Sequence, residues 1–172
     1  MPTFYSVFRK LERHYGPLSW WPADSEFEVM VGAILTQNTS WTNVEKALDS
    51  LKNAGCMSSE VILKMEQDKL AALIKSSGYF NIKAQRLKNY CRWYIQQTNR
   101  DTMATNDLRN ELLSINGVGP ETADDILLYA FHRPVFVIDA YTRRIFSRLN
   151  CIPDSPFTLV PRRKCNIMLS KS

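Results

Sequence analysis

The chain has 172 residues, one domain's length and enough to bury a sizeable core. Hydrophobic residues make up 45% and charged residues 23%, an ordinary mixture for a soluble globule, and no run approaches the ~18 apolar residues of a membrane span. A net charge of +5 permits an anionic partner without demanding one, and the N-terminus lacks a basic-then-apolar export pattern, so a cytoplasmic protein is expected.

Residues 3 to 15 repeat Phe4, Val7, Phe8 and Leu11 at helical spacing, and Gly16-Pro17 stops the helix. Trp20-Trp21-Pro22 follows in a loop, where large aromatics usually serve as packing anchors. Ser25-x-x-Glu28 reads as a capping box opening a helix from Glu26 to Thr36, with Phe27, Val31, Ile34 and Leu35 inward. Gln37-Asn38-Thr39-Ser40 breaks it, and a helix from Trp41 to Ala54 carries Val44, Ala47, Leu48 and Leu51 on one stripe, with Gly55 past its end. Ser58 to Met65 and Asp68 to Ser76 read as two short helices. The turn Ser77-Gly78-Tyr79-Phe80-Asn81 then leads into a long helix, Ile82 to Gln97. From Lys75 to Arg100 the chain holds Lys75, Lys83, Arg86, Lys88, Arg92 and Arg100 with no acid, either a solvated helix face or part of a nucleic-acid footprint.

Asp107 to Ser114 reads as a helix ending at Asn116-Gly117, where a left-handed residue is cheap. Pro120 opens a second helix at the one helical position that tolerates proline, with Ala123, Ile126, Leu127 and Ala130 on one face. The product is a helical hairpin turning on Gly117-Val118-Gly119. Its backbone N–H groups and the new helix's positive end suit a phosphate oxygen and carry no base information. An apolar run, Val135-Phe136-Val137-Ile138, leads to Asp139, a helix N-cap residue type. The last helix is expected to turn Tyr141, Ile145, Phe146 and Leu149 inward, with Arg143, Arg144 and Arg148 outward. His132 reads as a turn residue. Cys56, Cys91, Cys151 and Cys165 have no C-x-x-C spacing, so neither a zinc site nor a disulfide framework is suggested. Residues 153 to 172 show three prolines, a basic cluster and no helical period.

The pattern Leu112-x-x-Ile115-x-Gly117-Val118-Gly119-x-x-Thr122-Ala123, followed by Asp139 after its apolar run, resembles the helix-hairpin-helix (HhH-GPD) superfamily of DNA glycosylases that includes endonuclease III. Trp20-Trp21-Pro22, Phe27-Glu28, Gly32-Ala33 and Leu35-Thr36-Gln37-Asn38-Thr39 look like its 3-methyladenine DNA glycosylase III branch. The resemblance implies an all-α, two-lobed fold. Residues 25–133 form a six-helix barrel lobe, and residues 1–24 plus 134–172 form a discontinuous second lobe. It covers residues 3 to about 152, so the C-terminal end is expected to be truncated or replaced. It further implies a base pocket of Trp20, Trp21, Pro22 and Trp41, and a catalytic Asp139 in the cleft between the lobes. The hairpin Gly117-Val118-Gly119 would anchor the duplex, and Tyr79 would wedge into the base stack. Gln37 would enter near the vacated base, although a helix-end residue bonding to its own backbone fits that position equally.

Lyase-competent members carry a lysine two residues past the second hairpin glycine. Here that residue is Glu121, which cannot form a Schiff base, so the reading is monofunctional. The four-cysteine iron–sulfur pattern of endonuclease III relatives is absent, and no cofactor is expected beyond a monovalent cation that such a hairpin can hold. The expected partner is double-stranded DNA, bound by a monomer at the nucleoid if the source is bacterial. Cationic alkylated purines such as 3-methyladenine suit indole walls, since a desolvated cation over a ring gains ~1–2 kcal/mol. Three alternatives stand beside this reading: a glycosylase with AP lyase activity, a DNA-binding remnant without turnover, and a hairpin adaptor without a pocket.

Overall fold

A computed structural model describes residues 3–18 and 20–151; the expectations placed on 152–172, Cys165 included, lie outside the described residues. Among the described residues the chain forms nine α-helices and no strand, so the all-α class holds. Two compact units form, one from Ala23–Arg133 and the other from the described parts of Met1–Pro22 and Pro134–Ser172.

The first unit is built around α2 (Glu26–Leu35). Its sequence is apolar almost all round, and every residue from Glu28 to Leu35 is buried, so the one-sided face expected for it is too narrow. It packs on α3 (Trp41–Asn53), α6 (Phe80–Gln96), α8 (Pro120–Asp125) and the π-helical turn Ile126–Ala130 that continues α8. Only half of the predicted capping box forms. Ser25 Oγ accepts from Glu28 N–H at 3.2 Å, but the Glu28 carboxylate accepts from Asp24 N–H at 2.9 Å and pairs with Lys52 at 2.7 Å. A nearly buried carboxylate gains more from a cation than from one further N–H. Lys52 also reaches Asp24, and the two carboxylates push its pKa up to about 12.

Short helices α4 (Ser59–Lys64) and α5 (Gln67–Leu73) lie against α6, and α7 (Thr105–Ser114) precedes the hairpin. The acid-free basic run is not all solvated face: Lys75 and Arg92 are exposed, but three of its cations turn to main-chain oxygens. Lys83 is buried, and its Nζ donates to Leu35 O at 2.8 Å and Ser77 O at 2.6 Å. Lys88 Nζ donates to Leu63 O and Met65 O, and Arg100 donates to Tyr94 O and Gln97 O while stacking 4.0 Å over the Tyr94 ring. These cations answer carbonyls left over at helix ends, which a run of charges in a sequence does not reveal.

In the second unit Thr3 caps α1 (Phe4–Tyr15) in a reciprocal box with Ser6, and α9 (Ala140–Arg148) follows the apolar run. Phe4 packs tilted against Phe146 at 4.3 Å and meets Phe136 edge-on at 6.3 Å, beside buried Ile138. The inward face predicted for α9 is corrected here: Tyr141, Ile145 and Leu149 are exposed and only Phe146 is buried, and in α1 Phe8 and Leu11 are exposed and only Val7 is buried. A 3.6-residue period identifies an apolar stripe, not what covers it.

Candidate functional site

The hairpin turn is held by geometry that only glycine permits at one of its two glycine positions. Gly117 has φ +100°, and a Cβ there would lie 2.2 Å from Arg86 Cγ and 2.7 Å from its Cδ. Gly119 is different: it has extended backbone as the N-cap of α8, and an added Cβ would meet nothing within 4 Å. Val118 is buried and its N–H donates to Ile115 O at 3.0 Å, so the expectation of an outward N–H fails at this residue. Arg109 joins α7 to α8 through a 2.8 Å ion pair with buried Asp124. Glu121 stands exposed in the first turn of α8.

Gln37 reaches this turn across 80 residues of sequence. Its Nε2 donates to Gly117 O at 3.0 Å and to Thr122 Oγ1 at 2.9 Å, and its Oε1 accepts from Arg86 Nη1. Arg86 has only donors, and that fixes which end of the amide is oxygen. The reading in which Gln37 bonds its own backbone is therefore corrected. With one charge-assisted bond among three, withdrawing the side chain costs on the order of 3–6 kcal/mol before any new partner is found. Gln37, Arg86, Gly117, Glu121, Thr122 and Asp125 are among the residues lining an open cleft of about 520 Å³.

Tyr79 sits at the N-cap of α6 with φ +46° and is 69% exposed. A left-handed tyrosine is strained by ~1–3 kcal/mol unless its surroundings impose it. The preceding Gly78, at φ +68°, and Lys83 N–H bonded to Tyr79 O at 2.9 Å do so. Trp41 opens α3, half-buried, with its indole Nε1 donating to Glu45 Oε1 at 2.9 Å. These residues belong to the Ala23–Arg133 unit.

Trp20, Trp21, Pro22 and Asp139 belong to the other unit. Trp20 is 69% exposed, Trp21 is half-buried and Pro22 is exposed. Asp139 caps α9, with Oδ1 accepting from Thr142 N–H at 2.6 Å, and remains partly accessible. Capping engages one carboxylate oxygen, Oδ1.

A family model for the HhH-GPD superfamily of base excision DNA repair proteins matches residues 31–165. The chain belongs to that superfamily. A provisionally named DNA repair glycosylase of Methanocaldococcus jannaschii is 51% identical over 154 residues, covering 86% of this chain and 70% of that protein. Endonuclease III of Haemophilus influenzae is 30% identical over 142 residues, covering 83% of this chain and 65% of that protein. The crystal structure of the H. pylori 3-methyladenine DNA glycosylase bound to 1,N6-ethenoadenine superposes with a TM-score of 0.80 at 28% identity, over 99% of this chain and 81% of that one. This HhH-GPD protein is thus a DNA N-glycosylase of base-excision repair.

Cys56 and Cys91 are buried free thiols, and burial pushes the Cys91 thiol up to about 12. Among the described residues no group of three His, Cys, Asp or Glu could hold a metal ion. No described helix is long and apolar enough to cross a membrane. His132 lies in a turn at φ +51°, 3.4 Å from Glu26. Sequence reasoning missed Arg86, Lys83 and Thr122 as site residues. The available signal was Lys83-x-x-Arg86, two cations on neighbouring turns of a helix that packs against apolar neighbours.

Proposed function

We propose that the glycosylase is monofunctional and hydrolyses the N-glycosidic bond of alkylated purines such as 3-methyladenine in double-stranded DNA. The observation that carries this reading is Glu121, exposed at the hairpin position where a lyase needs an amine. Lys83 strengthens it. Burial and the neighbouring Arg86 push this amine down to about 8, a value suited to a nucleophile, yet it is sealed and bonded to two carbonyls. It has no route to a sugar. The likeness to the H. pylori 3-methyladenine glycosylase supports the purine assignment.

In this reading the hairpin grips the sugar-phosphate strand and Tyr79 holds open the gap left by the extruded base. Trp41 of the Ala23–Arg133 unit, and Trp20, Trp21 and Pro22 of the other, are the candidates for base contact, and a cationic methylated purine gains more from an indole face than a neutral one. Asp139 stabilises the oxocarbenium-like sugar and orients water toward it. An alkylated purine departs neutral, so no strong general acid is needed. The test is release of free 3-methyladenine from methylated DNA, with Asp139→Asn as the partner variant. Release by the wild type that is lost in the variant is expected. Binding without release in the wild type would identify a remnant instead.

The second reading, a glycosylase with AP lyase activity, draws on the 30% identity to endonuclease III. It requires an amine other than residue 121.

A further inference from the structure

The Gln37 amide has all three of its observed contacts inside the protein, and two of them end on the hairpin. The Arg86 stem occupies the space against Gly117 that a β-carbon would need. One turn earlier on α6, Lys83 ties Leu35 O, two residues before Gln37, to Ser77 O, two residues before Tyr79. The start of α6 therefore holds three segments at once: the end of α2, the turn carrying Tyr79, and the hairpin.

We propose that Arg86 is a positioning residue for DNA engagement: it holds Gln37 as a strut between the end of α2 and the Gly117–Thr122 turn, so that the hairpin meets the duplex in one fixed geometry. The proposal rests on the DNA-glycosylase reading but assigns Gln37 a different task from entering the duplex. The strut's bonds survive binding, and Arg86 directs its Nη1 donor to Gln37 rather than to a phosphate. An arginine suits this task because its Nη1 reaches the amide oxygen while its methylenes fill the space beside the glycine. The surroundings include carboxylates as well: Glu121 and Asp125 line the same cleft, so removing Arg86 changes local charge as well as local shape.

The test compares Arg86→Met, which keeps most of the stem and removes the donors, with Arg86→Lys, Gln37→Ala and the Met/Ala double variant. Affinity for a duplex carrying a tetrahydrofuran abasic analogue is measured from 50 to 200 mM NaCl, beside kcat and KM for base release. Arg86→Met and Gln37→Ala are each expected to weaken binding and raise KM about tenfold with kcat unchanged, as loss of a charge-assisted bond implies. The double variant should be no weaker than the worse single one. Arg86→Lys should stay within about threefold, since an ammonium still donates to Oε1. The salt slope should not move. A slope reduced by about 0.9 in Arg86→Met would mean a phosphate contact and overturn the proposal. Multiplying losses in the double variant would mean that Gln37 acts on DNA by itself, and would overturn it equally. The Gln37 side-chain amide resonances in the free protein give a readout that needs no DNA. They should be dispersed and slowly exchanging in the wild type and Arg86→Lys, and averaged in Arg86→Met. If the wild type failed to bind DNA, the glycosylase reading would fall, while unaltered amide signals in Arg86→Met would sink the strut on its own.

Discussion

Arg86 Cγ lies 2.2 Å from the point where a β-carbon on Gly117 would be placed. The chain needs glycine at 117 twice over, once for this approach and once for φ +100°. Gly117→Ala should therefore cost about 1–3 kcal/mol in backbone strain and a comparable amount in overpacking. Gly119→Ala, with open space around it and extended backbone, should melt close to the wild type. Thermal unfolding of the pair checks this; equal melting temperatures would remove the clash from the account. Duplex affinity of the folded Gly119→Ala protein then reports how closely a phosphate approaches that residue.

Asp139 caps α9, and the proposed function gives it a catalytic charge as well; the two roles separate by substitution. Asparagine keeps an oxygen for the Thr142 N–H, so Asp139→Asn should stay near wild-type stability and lose base release by orders of magnitude. Alanine should lose activity and also about 1 kcal/mol of stability. Denaturant melts read beside single-turnover release distinguish the roles. Full activity in Asp139→Asn would take the carboxylate out of the chemistry.

Lys83 predicts a pH dependence of stability. Its folded pKa, near 8, lies below the ordinary lysine value of 10.5, so between those pH values the unfolded chain binds more protons. Stability linked to this group is therefore lowest below pH 8 and rises toward pH 10.5, by at most about 1.4 kcal/mol per pH unit. Lys52 works in the opposite sense: its pKa is raised to about 12, so its contribution is whole below 10.5 and fades above it. Urea midpoints of the wild type and Lys83→Met from pH 7.5 to 10 isolate the first effect. The gap in favour of the wild type should widen as pH rises; a constant gap would mean that Lys83 is charged throughout.

At position 121 the choice of residue separates two chemistries. Borohydride should trap no covalent adduct between the wild-type protein and damaged DNA. Glu121→Lys places an amine where endonuclease III-type lyases have theirs, and an adduct is expected with that variant. Trapping by the wild type would contradict monofunctional action.

Local signals in the sequence proved legible wherever a residue acts on its own neighbourhood. Pro120 opens α8, Gly117 takes the left-handed turn, Ser25 and Asp139 cap their helices, and each follows from backbone sterics or an unpaired N–H within a few residues. Legibility ended where a partner lies far away in the chain. Nothing within reach of Gln37 in sequence points to Gly117, and nothing beside Lys83 points to Leu35 O. The exposed stripes of α1 and α9 show the same limit, because amphipathic spacing does not name its partner. The recognised family motifs located the hairpin and the aspartate; the tie between Gln37, Arg86 and the turn came only from coordinates.

The inward-facing cations have a consequence for how the enzyme travels along its substrate. Lys83, Lys88 and Arg100 count toward the formal surplus of +5, but their charged ends are turned to main-chain oxygens. The electropositive skin that a polyanion can touch is thinner than composition suggests. Nonspecific residence should be correspondingly brief, which leaves the protein free to hop between sites rather than linger on intact helix.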